Sequence, residues 1–430
     1  MSTPQLVRAN QDRPFLQMNW INRLLIMGIF LLPIMVLIRR VPAELSVGLT
    51  VLIALFVAFR HRDFSWMLKD WVLASGGVSL VLLFLSPFSV NPAYSALSAI
   101  LAFRWPIYAA ALVWLFFSMP RSLKLFERVM LFVIGFIVVD TFIQYIFGVD
   151  LFGGTSPNPT RLTGPFGAHM LVGSFIDRVW FIGLAVVWFA LIKRNQVWAL
   201  IAIAALSAVG ALFMFLTGER AALLTYLLGA GVVVIGVLIY VPRWRLQLMG
   251  LIMLAMLLIV GVAVTQKEMV GRSIDSTIST IHHLDQNVYG LNFMTAWAEF
   301  KANPWTGVGA RQFKEYCDST MPTYSEKYTS MGYQGAVLHP HNFYTGMLAE
   351  GGILAFSVFV VMVFFLFKQV IRGSFIIGAP MHAYFGSALL LTTFWPAQST
   401  MEYFNGWTAA VIWTGIAWAI ARSRVSALSN

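Results

Sequence analysis

Apolar runs long enough to cross a bilayer, repeated along the whole chain and separated by short basic loops, restrict this sequence to one class of architecture. A bilayer's hydrocarbon core takes roughly 20 apolar residues per helix. Such runs recur at 21–38, 44–60, 71–88, 97–118, 129–148, 171–192, 197–217, 221–241, 246–265, 353–370, 380–399 and 406–421. They are uniformly apolar rather than alternating, which argues against a closed β-barrel. The expected fold is therefore an all-α polytopic membrane protein with about twelve transmembrane helices. Charged residues make up 11% of the chain, against about 25% in soluble domains, so a soluble enzyme is excluded. The first run follows Arg8, Arg13 and Arg23 and lacks a small-residue cleavage site, so it reads as a retained anchor helix.

The formal charge of +11 would suggest nucleic acid in a soluble protein. Here the basic residues sit between apolar runs, where the positive-inside bias accounts for them without a nucleic-acid partner. With the N-terminus inside, the inner segments hold Arg60, Arg62 and Lys69; Arg121, Lys124 and Arg128; Lys193 and Arg194; Arg243 and Arg245; Lys368 and Arg372; and Arg422 and Arg424. The outer segments 89–96 and 400–405 hold none, and Arg39 and Arg40 are the exception. Both termini are therefore expected in the cytoplasm. The single cysteine, Cys317, excludes an intramolecular disulfide and thiolate-pair metal sites.

This orientation leaves one large outer loop, 266–352, between spans 9 and 10. Loops this long are usually functional or disordered, and this one is not of low complexity. Within "LNFMTAWAEFKANPWTGVG", Phe293, Ala296, Trp297 and Phe300 fall at helical spacing ahead of an Asn-Pro turn, predicting a short packed helix over the outer face. A second outer segment, "GVDLFGGTSPNPTRLTGPFGAH" at 148–169, is rich in Gly and Pro and carries Arg161.

The outer loop closes with "HPHNFYTGMLAEGG". Asn342 is a good N-cap, and Phe343 with Met347 and Tyr344 with Leu348 make i,i+4 pairs, so a short helix is expected from about 342 to Gly351–Gly352. Proline is favoured in a first helical turn. His341 would then sit at a helix N-terminus, where the dipole binds anions and disfavours imidazolium, as a general base requires. The same residues also fit two interfacial histidines that only cap the helix. A zinc site needs a third ligand that the sequence does not supply.

Arg161, Arg220, Arg272 and Arg311 lie outside or near the outer face. Converging on one cavity, they would suit a polyanionic head group such as pyrophosphate. Arg220 in "LTGERAALL" is equally compatible with a tight interfacial turn, and the glycines before Arg311 could admit a phosphate close to the backbone. Arg104 and Asp140, on neighbouring expected helices, are expected to pair, and Asp177 with Arg178 is a further buried charged pair. No Walker, GxSxG or DxD motif is present, and the outer-loop acids Glu268, Asp275, Asp285, Glu299, Glu315, Asp318 and Glu326 are scattered. That disfavours metal-dependent transfer from a nucleotide sugar, and no metal site or cofactor is expected. Twelve spans with buried charges also permit a solute transporter, but transporters favour repeats and interrupted midplane helices, whereas polar chemistry here gathers at one face.

In combination, the "GER" hairpin, "NPWTGVGARQF", "HPHNFYTGMLAEGGILAF" and "RLTGPFGAHMLVGSF" resemble the O-antigen ligase and O-antigen polymerase superfamily of bacterial envelope enzymes. The resemblance covers about 150–360 and implies three regions: N-terminal helices over 1–150, a catalytic region with its periplasmic loop over 151–370, and C-terminal helices over 371–430. It implies a multi-pass protein of the bacterial inner membrane with its active site facing the periplasm. The implied activity is inverting, metal-independent transfer of a glycan from a polyprenyl-diphosphate carrier to a sugar hydroxyl of the lipid A core. A polymerase of O-antigen or exopolysaccharide using the same donor is the alternative. Carried over by position, the base is His341, the hairpin arginine on the diphosphate is Arg220, and His339 is a positioning residue. The stretch "YGLNFMTAW" has Asn292 near the place where many relatives carry a second arginine, a role that Arg272 or Arg311 would take.

Overall fold

The computed structural model describes residues 40–118, 120–158, 160–265, 286–398 and 403–425, with the isolated positions 23, 27, 34, 271, 278 and 282. Among them every regular element is helical. Among the described residues, seven helical stretches are long and apolar enough to cross a membrane: Val41–His61, Asp70–Phe88, Pro92–Phe117, Arg121–Phe147, Gln196–Leu216, Arg220–Tyr240 and Phe343–Ile376. The expected span at 21–38 falls almost wholly outside the described residues.

In chain order the first helices are α1 (Arg40–His61), α2 (Asp70–Leu85), α3 (Pro92–Ala102), α4 (Arg104–Ser118) and α5 (Pro120–Phe147). There follow α6 (Val172–Asp177), α7 (Trp180–Leu191), α8 (Gln196–Leu216), α9 (Arg220–Tyr240) and α10 (Arg245–Thr265). From residue 286 on, the described residues hold α11 (Val288–Ala302), α12 (Phe313–Thr320) and α13 (Pro322–Ser330). The last three are α14 (Phe343–Ile376), α15 (Met381–Phe394) and α16 (Gly406–Val425).

Local chemistry sets most boundaries. The ring of Pro106 conflicts with a helical carbonyl four residues earlier, and α3 ends there, at Ala102. Gly148, at φ +77°, terminates α5 while its N–H still bonds Gln144 O. Pro396 forces Trp395 into an extended conformation, φ −67° and ψ 125°. Consequently α15 is a helix of 14 residues, shorter than the expected run 380–399. The expected run 171–192 is divided at Arg178–Val179 into α6 and α7.

The core lies where α14, α15 and α16 meet α2, α4 and α9, around fully buried Trp105, Trp188, Trp418, Tyr108 and Tyr226. The rim is apolar instead, with Phe84, Phe132 and Ile146 largely exposed, the pattern of helices whose outward solvent is lipid. At the end of the bundle that carries the basic loops, buried Glu127 accepts from Trp418 Nε1 at 2.9 Å and from the Arg422 guanidinium, tying α16 to α5. The expected Arg104–Asp140 pair does not form. Arg104 pairs with Glu44 of α1 at 3.5 Å and lies over the Trp105 ring, while Asp140 accepts from Leu151 N–H at 2.8 Å. Helix spacing alone could not show that α4 turns its arginine towards α1.

Candidate functional site

The loops opposite the basic end converge through backbone contacts. After α11, Asn303 and Pro304 turn the chain into the segment 304–312, which lies against the Gly351–Gly352 break in α14. Val308 N–H bonds Ala349 O and Gly309 N–H bonds Glu350 O, both at 2.9 Å, and Ile353 N–H bonds Pro304 O at 2.8 Å. The approach is close enough to require glycine. A Cβ on Gly307, at φ +65°, would stand 2.4 Å from the Glu350 carbonyl carbon, and one on Gly352, at φ +60°, 2.5 Å from Trp305 O. The glycines of "TGVG" and "EGG" are therefore the facing halves of one joint. On its other side, Val90 N–H bonds Val308 O at 3.4 Å and Ala310 N–H donates to Ser95 Oγ at 2.9 Å, fixing the segment to the α2–α3 turn.

The approach to "HPHN" is pinned from α12. Lys314 Nζ donates to Gln334 O and Ala336 O, both at 2.7 Å, and to Asp318 Oδ2 at 2.8 Å. Asp318 Oδ1 accepts from Ala336 N–H and Ser325 Oγ, each at 2.7 Å. Asn342 is the N-cap of α14, its side-chain oxygen accepting from Tyr344 and Thr345 N–H at 2.9 and 3.1 Å. Its amide nitrogen donates to Pro396 O and Gln398 O at 2.7 and 2.9 Å, tying the cap to the α15–α16 connection.

Capping corrects one expectation. Pro340 lies outside the helix rather than in its first turn, while His341 stands directly before the expected cap, and Asn342 engages two of the first N–H groups. Two of the donors at this helix end are thereby taken up by the cap itself. The helical backbone does break at Gly352, as expected, but it resumes directly beyond and runs on to Ile376, making α14 one kinked element.

His339, His341 and Arg311 form one group. The two imidazoles stand 4.3 Å apart between centroids. His339 is buried, and burial, with His341 and Arg311 nearby, pushes its pKa down to about 3. The Arg311 guanidinium lies 5.7 Å from the Tyr94 ring centroid. His341 at φ +58° and Arg311 at φ +60° are both non-glycine residues in the left-handed region. Such conformations cost of order 1–3 kcal/mol each and concentrate at functional sites.

Arg161 and Arg220 belong to a second group around Glu219. Glu219 accepts from Gly173 N–H at 2.8 Å and from Ser174 N–H at 3.0 Å and Oγ at 2.5 Å, so the hairpin acid fastens the start of α6. Burial raises its pKa, partly offset by the Ser174 hydroxyl and by Arg161. Arg161 Nη2 donates to Met170 O at 2.6 Å, and Arg220, half-buried, opens α9. The α15–α16 connection reaches the cap of α14 and leads on to the neighbourhood of His169. It receives Asn342, places Tyr403 6.1 Å from Phe343, and leads to Trp407, 5.6 Å from His169. Arg272 lies outside the described residues.

Two further features are not evident from the sequence. Glu299, one of the acids scattered along the outer loop, is wholly buried, and Glu350 lies near it. Burial, then Glu350, raises the Glu299 pKa well above the carboxylate range. The Lys314–Asp318 latch shows in the sequence only as i,i+4 spacing, because its backbone partners lie 18 or more residues away. Among the described residues no group of three or more His, Cys, Asp or Glu side chains is arranged to hold a metal ion.

No curated protein matches the chain. The family model described as O-Antigen ligase matches residues 205–360, from within α8 to α14. That interval contains the hairpin bearing Arg220, the glycine joint and the His339–His341–Arg311 group. Residues 205–360 of this multi-pass chain accordingly belong to the O-antigen ligase family.

Proposed function

We propose that the protein is a glycosyltransferase of the inner membrane's periplasmic face, moving a glycan from a polyprenyl-diphosphate carrier to a lipid A core hydroxyl. The observation that carries this reading is the His339–His341–Arg311 group inside the family-matched region, with strained backbone at both His341 and Arg311. The reading includes twelve spans, both termini in the cytoplasm, an outer loop at 266–352, and the regions 1–150, 151–370 and 371–430.

In this account neutral His341 takes the acceptor hydroxyl proton as the oxygen attacks the anomeric carbon. The bond from that carbon to the diphosphate oxygen breaks, its electron pair leaves with the lipid diphosphate, and the configuration inverts. Arg311, Arg161 and Arg220 neutralise the charge gathering on the leaving group, the work a metal ion does elsewhere. Arg272 remains a further candidate for that role. His339, held neutral by burial, packs on His341 and positions it.

A deletion strain tests the activity. Lipopolysaccharide core without polymer, alongside accumulated long carrier-linked glycan, is the expected profile. Core bearing a single repeat unit would assign the chain to polymerisation instead, and an unchanged profile would remove the reading.

A further inference from the structure

Helix α11 is built inside out for a helix in water. Tyr289, Phe293, Trp297 and Lys301 follow at four-residue intervals and form one exposed stripe, with Phe293 58% and Trp297 46% exposed. Just beyond the helix, Trp305 is 67% exposed. The opposite face carries Asn292, Thr295 and Glu299, all 0% exposed. Tyr328 OH bonds Asn292 and Thr295 there, at 2.9 and 3.2 Å. An amphipathic helix in water does the reverse, burying aromatics and showing carboxylates to solvent. Exposing the rings and desolvating the acid both oppose stability in water. The first of these penalties disappears if the exposed stripe faces lipid.

The position of α11 supplies a second, independent argument. The 304–312 segment that follows it is hydrogen-bonded to Ala349, Glu350 and Ile353, where the apolar stretch of α14 begins. The same joint carries other outward apolar residues: Phe88 beside the docked turn, 69% exposed, and Leu354 at the start of the apolar stretch, 45% exposed. The chain leaving the aromatic helix is thus anchored beside outward apolar residues of the bundle.

We infer that α11 is an interfacial helix whose Tyr289, Phe293 and Trp297 rings lie in the boundary between head groups and acyl chains. Aromatic side chains concentrate at that depth, and amphipathic helices lie in its plane. Lys301 closes the stripe with a long apolar stem and an ammonium that reaches the phosphate layer. The helix then holds the 304–312 segment, and Arg311 with it, at head-group height. Resting on the proposed function, that is the height of a carrier lipid's diphosphate.

Nitroxide labels at Phe293→Cys and Trp297→Cys test the placement in vesicles of phosphatidylethanolamine and phosphatidylglycerol. A label at Glu326→Cys, an exposed residue of α13, is the aqueous reference. Cys317 is 0% exposed, and the unsubstituted protein controls for its labelling. The expected result is a several-fold higher ratio of oxygen to nickel-chelate collision at 293 and 297 than at 326. Equal nickel accessibility at all three positions overturns the inference. So does accessibility at 293 and 297 that is lost only when lipid-linked glycan is added, since that assigns the rings to sugar stacking. The readout needs no turnover, so an inactive protein with deeply placed labels separates this inference from the proposed activity.

Discussion

His339 shows how burial decides a residue's role. Its imidazole is packed against His341 with Arg311 nearby, and its pKa falls from 6.5 to about 3, so it is neutral throughout the physiological range. The unfolded chain binds a proton at this residue more readily than the folded one. Its effect on stability is therefore absent above about pH 6.5 and grows as a penalty on acidification towards about 3, by up to about 1.4 kcal/mol per pH unit. Thermal unfolding in detergent should show a midpoint that falls between about pH 7 and pH 5, and less steeply in His339→Gln. An identical pH dependence in the two proteins would contradict the burial argument. The capping by Asn342 is legible in the sequence, because capping is local chemistry. The left-handed backbone at His341 is not, because its neighbour Asn342 is held by residues distant in sequence, Pro396 and Gln398.

At the scale of elements, the joint between 303–309 and 349–353 holds the outer segments against α14. Gly307 and Gly378 have nearly the same φ, +65° and +66°, but a Cβ on Gly378 would meet nothing within 4 Å. Gly378→Ala should therefore cost only the conformational strain of a left-handed alanine, whereas Gly307→Ala must also push the facing backbones apart. The expected outcome is a lower unfolding midpoint and a lower yield of monodisperse protein for Gly307→Ala than for Gly378→Ala. Equal losses would mean that the joint is not tight. Periodicity locates α11 but not the medium its aromatic face meets. Phe293 and Trp297 mark the apolar side of the expected packed helix, yet they stand exposed while Glu299 is buried. A period of 3.6 residues tells which side is apolar, and the assumption that this side faces protein holds only in water.

For the whole molecule, the sequence signal is strongest where the bilayer imposes it. Run lengths imply an all-helical, multi-pass chain, and the runs match α1, α2, α8 and α9 closely. What stays hidden is lateral arrangement: that Arg104 faces Glu44, that Glu299 lies near Glu350, and that Asn342 reaches Pro396 while His169 lies beside Trp407. These depend on which helices are neighbours, and apolar runs of similar length carry little information about that. The central claim is that His341 is the base of a glycosyl transfer that needs no metal. The purified protein in vesicles, given lipid-linked glycan and lipid A core in excess chelator, tests it through the ratio of transfer rates for the unsubstituted and His341→Ala proteins. The account predicts sustained transfer by the former and a loss of about 100-fold or more in the variant with its unfolding midpoint retained. Transfer by His341→Ala at the unsubstituted rate, or transfer that stops in chelator, would contradict it.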